Sequence, residues 1–98
     1  MKPLVYHRAA ESEFLEAVHW CESERPGRGL RLDAIVLQAE QQIQRHSHSG
    51  SRHIRGTRRL VLPRFPYALI YLINADRCYV VAFAHAKRRP GYWRERIT

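Results

Sequence analysis

Residues 67–74, Tyr-Ala-Leu-Ile-Tyr-Leu-Ile-Asn, are apolar at odd and even positions alike. Successive side chains of a strand point to opposite faces, so a run apolar on both faces belongs at the centre of a sheet. Turn signals bound it. Pro63-Arg64-Phe65-Pro66 precedes the run, and two prolines forbid a continuous ladder there. Asn74-Ala75-Asp76-Arg77 follows it. Thr57–Leu62 and Cys78–Ala84 read as the flanking strands, and the short connections make the three an antiparallel meander.

The first half has a different period. Pro3–His7 is a short extended segment, with Pro3 suited to open an edge strand. From Arg8 to about Glu24, residues Ala10, Phe14, Ala17, Val18 and Cys21 share one helix face. Arg25-Pro26-Gly27 ends that helix. A second, from about Gly29 to Arg45, aligns Leu32, Ile35, Val36, Ala39 and Ile43. So short a connection predicts an antiparallel helix hairpin. His46–Gly56 is polar and aperiodic and reads as a mobile loop. The order β-α-α-β-β-β predicts an α+β fold, an antiparallel sheet with the helix hairpin on one face. Residues 1–98 are expected to form one domain without internal repeats.

Charge is unevenly spread. Residues 1–51 carry six Lys/Arg against seven Asp/Glu, while residues 52–98 carry eleven against two. The halves are thus −1 and +9, giving the overall +8. The second half suits an anionic partner or a partner that covers it. No apolar run is long enough to span a bilayer and no signal-peptide pattern opens the chain, so no membrane partner and a cytoplasmic location are expected. Cys21 and Cys78 belong to no close-spaced redox or ligand motif and are expected to be buried thiols. His46, His48 and His53 match no standard zinc spacing, and Gly-rich phosphate loops and nucleophile motifs are absent, so no metal and no cofactor is expected.

Three blocks carry a family resemblance. They are Phe14–Glu22 with Arg25–Gly29, then Arg58–Tyr71, and the closing His85-Ala86-Lys87-Arg88-Arg89-Pro90-Gly91-Tyr92-Trp93. Together, and in this order, they resemble the RelE/ParE toxin superfamily, whose β-α-α-β-β-β fold agrees with the order read from periodicity. The resemblance implies the toxin of a type II toxin–antitoxin pair. Its partner would be a cognate ParD-like antitoxin that wraps an initially disordered tail over it. Operator DNA would be reached only through that antitoxin.

Two mechanisms share this fold. ParE-like members, the plasmid stabilisation toxins, poison DNA gyrase without catalysis. RelE-like members cut mRNA on the ribosome, which requires cations on the scissile phosphate and a proton donor or acceptor. Under that alternative the catalytic residues would be Arg64, Lys87, Arg88, Tyr92 and His85. In the RelE pattern a basic residue precedes the Tyr-x-Leu-x-Tyr strand by four positions; here Pro63 stands there and Arg64 comes one place late. With the Arg-Pro-Gly-Tyr-Trp ending, this resembles the ParE side. A third alternative is an inactive relative that only binds its antitoxin.

The residues expected to meet a partner are Arg59, Arg64, Phe65, Arg88, Arg89, Tyr92 and Trp93. Phe65, between an arginine and a proline, is expected to be exposed. Tyr92 and Trp93 read either as core or as antitoxin-contact aromatics. Arg58 and Arg59 are adjacent in a strand and so point to opposite faces, at most one of them toward the helices.

Overall fold

Both helices form where their apolar residues recur on one side. In the computed structural model, which describes residues 1–97, α1 spans Arg8–Glu24 and α2 spans Arg28–Arg45. His7 caps α1 through Nδ1, which accepts the Ala9 N–H at 3.0 Å and so satisfies one backbone donor left without an intrahelical partner. Between the helices Gly27 takes φ +89°, a left-handed conformation that glycine adopts without steric cost. The Glu22 carboxylate reaches across the turn to accept the N–H groups of Gly27 and Gly29 at 3.0–3.1 Å. A Cβ on Gly29 would stand 2.8 Å from the Val18 carbonyl oxygen, so glycine is what lets the hairpin close.

The strands are β1 (Leu4–Tyr6), β2 (Ser51–Arg52), β3 (Arg58–Val61), β4 (Tyr67–Ile73) and β5 (Cys78–His85), in the order β1-β5-β4-β3-β2. β3, β4 and β5 form the antiparallel meander, with β4 central to them. β1, however, joins β5 in parallel, so the sheet is mixed and not wholly antiparallel. The meander leaves the outer edge of β5 bare, and the N-terminal segment covers part of it. The Cys78 N–H donates to the Pro3 carbonyl at 2.9 Å and the His7 N–H to the Val80 carbonyl at 2.8 Å.

The 46–56 segment is more regular than a mobile loop. It holds a 3-10 turn at Ser47–Ser49, strand β2 and a second turn at Ile54–Gly56. Tyr71 organises it: its hydroxyl donates to the Ser47 carbonyl at 2.7 Å and accepts the Gly50 N–H at 2.9 Å. Arg58 donates to the Gly50 carbonyl at 2.8 Å. These are bonds between loop backbone and distant side chains, so they leave no periodic trace in the sequence.

Two apolar clusters sandwich the sheet. Leu69, Tyr71, Val80 and Phe83 pack beneath Ala17, Cys21, Leu32, Val36 and Ile43 of the helices. Ala68, Ile70, Val81 and Ala82 are covered on the other face by Trp93, with Tyr92 and Ile97. The two-sided apolarity of β4 is thus matched by helices on one side and the C-terminal segment on the other. The exposure expected of Phe65 is corrected here, and Trp93 takes the core alternative of its two readings. Phe65 is buried under the Arg28 guanidinium, 4.6 Å from its ring centroid, and Trp93 is only 2% exposed. Each therefore packs and presents no free face.

Candidate functional site at the end of β5

The ladder between β4 and β5 slips one residue opposite Ile70 and Tyr71. Val81 and Ala82 consequently both join the far-face cluster, while Val80 and Phe83 face the helices. This is a β-bulge, which re-aims the side chains that follow it. β1 ends at the level of Val80, so the β5 edge beyond it lacks a neighbouring strand.

Side chains take over that edge. Glu13 of α1 accepts the Phe83 N–H at 3.1 Å through Oε1, and Arg96 donates to the Val81 carbonyl at 2.9 Å. Arg96 and Glu13 form a two-pronged pair, Nη1 to Oε1 at 2.9 Å and Nη2 to Oε2 at 3.0 Å. The Tyr92 hydroxyl completes it by donating to Glu13 Oε2 at 2.8 Å. Burial pushes the Glu13 carboxyl up, but the hydrogen bonds from Arg96, Tyr92 and Phe83 outweigh it and hold the group below the ordinary carboxylate range. Burial and the Glu13 carboxylate raise the Tyr92 phenol well above its usual value. Tyr92 therefore keeps its proton and spends it on Glu13.

Around this lock lie two concavities. A groove of about 690 Å³ runs between α1 and the ends of β4 and β5, walled by Leu15, Trp20, Tyr67, Phe83, His85 and Arg88 among others. Tyr67 stacks on Phe83 at 4.9 Å between ring centroids and meets His85 edge-on at 5.2 Å. Trp20 is 60% exposed and Leu15 58%, large apolar side chains left in water. On the opposite sheet face a smaller pocket is lined by His53, Arg59, His85, Arg88, Arg89 and Tyr92.

The sequence-derived residues divide accordingly. Arg59, His85, Arg88, Arg89 and Tyr92 come together around the strand end. Arg59 pairs with Ile70 and faces the far side, whereas Arg58 pairs with Tyr71 on the helix side, the opposite orientations expected of neighbours in a strand. Arg64 is exposed in a left-handed turn, φ +67°, and lines neither concavity. Lys87 is exposed, its N–H donating to His85 Nδ1 at 3.0 Å. Glu13, Arg96, Leu15 and Trp20 were not singled out as site residues by the sequence. Leu15 and Trp20 did carry a signal, since both are large apolar residues outside the buried stripe of α1.

A solved structure of the chromosomal ParDE TA system from P. aeruginosa is similar at a TM-score of 0.76 and 15% identity, over 89% of this chain and 98% of that one. At that identity the likeness is one of fold. Residues 4–90 match the family described as the ParE toxin of the type II toxin-antitoxin system, parDE, and the chain belongs to this family. No curated protein matches it. Among the described residues no helix is long and apolar enough to cross a membrane.

Proposed function

We propose that this chain is a cytoplasmic toxin that a cognate, ParD-like antitoxin silences by filling the groove beside α1, and that the free toxin acts on DNA gyrase without catalysing a reaction. The groove carries the antitoxin part of the reading. Trp20 and Leu15 stand exposed over apolar walls, and such anchors beside a concavity favour a partner segment that buries them. Operator DNA is then met through the antitoxin.

The non-catalytic part is supported by the state of Tyr92. Its hydroxyl is committed to Glu13, and a raised pKa makes it a poor base near neutrality. Arg64, another of the five residues an mRNA-cutting mechanism would use, lies outside the lining of the strand-end pocket, as does Lys87. Gyrase supercoiling with and without the purified chain, run beside ribosome-programmed mRNA cleavage, tests this. Inhibited supercoiling with intact mRNA is the expected result. Cut mRNA with normal gyrase would replace it by the nuclease reading, and silence in both would leave an inactive antitoxin-binding relative.

A further inference from the structure

The solvent side of the helix hairpin carries apolar side chains that neither the core nor the groove beside α1 takes up. Leu30, Ala34, Leu37 and Gln41 recur along α2 at helical spacing and are all exposed, Leu30 at 76% and Leu37 at 54%. The buried stripe of Leu32, Val36, Ala39 and Ile43 lies on the other side of the helix. Beside Leu30 the hairpin is hollow. A depression of about 360 Å³ is lined by Leu15, Val18, His19, Glu22, Gly29 and Leu30. Gly29 has no side chain to place beside the Val18 carbonyl, where a Cβ would stand 2.8 Å away. Glu22, the carboxylate in the wall, is already held by the N–H groups of Gly27 and Gly29. Trp20 lines the groove and not this depression.

A projecting leucine and a hollow two helical turns apart make a self-complementary surface. Let a second α2 run antiparallel to the first about a two-fold axis beside Asp33 and Ala34. Leu37 of each copy then falls against Leu30 and the hollow of the other, and the symmetry makes every contact twice. Ala34, small and exposed, lets the helices approach closely at the axis. Asp33 flanks the axis, and its repulsion from its own copy keeps the contact weak. Charge also favours a second copy on this face over any other. Residues 8–45 carry five Lys/Arg against seven Asp/Glu, a net of −2, and the remainder carries +10. Two chains of +8 repel in any approach that brings their cationic strand ends together. Packing hairpin against hairpin sets the opposite sheet faces, with Arg59 and Arg89, outermost. The 18 residues of α2 span about 27 Å, and two packed helices about 20 Å, a flat face on the order of 500 Å². That is short of the roughly 800 Å² per partner of a standard interface and suits a reversible dimer.

We propose that this face binds a second copy of the chain, giving an isologous dimer through α2. The inference is separate from the antitoxin reading, since it concerns the full chain alone and Trp20 takes no part in it. Sedimentation velocity between about 5 and 500 µM should show the mass rising from one copy toward two, with a Kd on the order of tens of micromolar. Leu37→Ser, a loss felt twice in the dimer, should weaken it at least about tenfold, while Trp20→Ala stays within about twofold. Leu37 is exposed and outside the core, so the variant folds as the native chain does. The axis has its own test in Ala34→Cys, because Cys21 and Cys78 are buried. Mild oxidation should link two Ala34→Cys chains, whose Cα atoms fall within the roughly 4.4–6.8 Å that a disulfide spans. Gln41→Cys should not link, since its copies stand about 22 Å apart along the helices. A chain that stays monomeric throughout, Leu37→Ser dimerising as tightly as the native chain, or equal linking through Ala34→Cys and Gln41→Cys would overturn the proposal. A monomer whose antitoxin complex is weakened by Leu37→Ser would overturn it in favour of the antitoxin as the occupant of this face.

Discussion

Glu13 is the residue on which the C-terminal segment depends. One carboxylate accepts an edge N–H of β5, the Tyr92 hydroxyl and both prongs of Arg96, whose side chain is, like that of Glu13, only 17% exposed. Removing the charge leaves Arg96 half-buried without its counter-ion, which costs far more than an exposed surface pair would. Glu13→Gln should therefore lower stability by about 2–4 kcal/mol in denaturant titrations at pH 7. The pH dependence has a definite sign. The folded carboxyl titrates below its unfolded value of roughly 4.3, so the network is fully stabilising above that pH and is lost as pH falls through the folded pKa. The stability gap between the native chain and Glu13→Gln should thus be widest near neutrality and close on acidification. A gap that is constant with pH would mean that Glu13 acts by packing and not by charge.

At the scale of elements, what stands out is which pieces announced themselves. The helix hairpin and the central strand did, because their signals are local periods. The sheet's mixed character did not, because the direction of β1 depends on which edge the meander leaves bare. Phe65 was misleading for a similar reason: its cover, Arg28, comes from α2. The polar 46–56 segment is ordered by Tyr71, 24 residues from the Ser47 it bonds. Two substitutions test that dependence. Tyr71→Phe keeps the ring but removes the hydroxyl, leaving the Gly50 N–H and Ser47 carbonyl without that partner. It should cost about 1–2 kcal/mol and speed hydrogen exchange across residues 47–56 more than elsewhere. Gly50→Ala should cost about 1–3 kcal/mol, because its Cβ would lie 2.8 Å from the Tyr71 hydroxyl oxygen and 3.1 Å from the Arg59 carbonyl carbon. Of the site, Arg88 and Arg89 were legible as positive charge beside a strand end, but that Arg59 of β3 joins them was not, since it depends on the sheet's pairing. The Glu13–Arg96 pair was not legible either, since it joins positions 83 residues apart and fills the β5 edge left open where β1 stops.

Across the whole molecule, the near-neutral half supplies the α1 wall of the apolar groove and the +9 half its sheet wall and the cationic strand end, and groove and strand end meet at His85 and Arg88. A partner seated in the groove would therefore lie against the basic pocket without having to fill it. This makes the two surfaces separable by mutation. Trp20 is 60% exposed, and its loss removes a candidate anchor while leaving the core that holds α1, Ala10, Ala17 and Cys21, in place. Trp20→Ala should change the melting temperature little but weaken the antitoxin complex by about 2 kcal/mol or more, as measured by calorimetric titration with the protein encoded in the neighbouring reading frame. Arg59→Gln/Arg89→Gln, at the basic strand end and outside the lining of the groove, should spare that complex. If Trp20→Ala leaves the antitoxin affinity unchanged in a folded protein, the partner must seat elsewhere, and the exposed Leu30 and Leu37 of α2 become the surface to vary next.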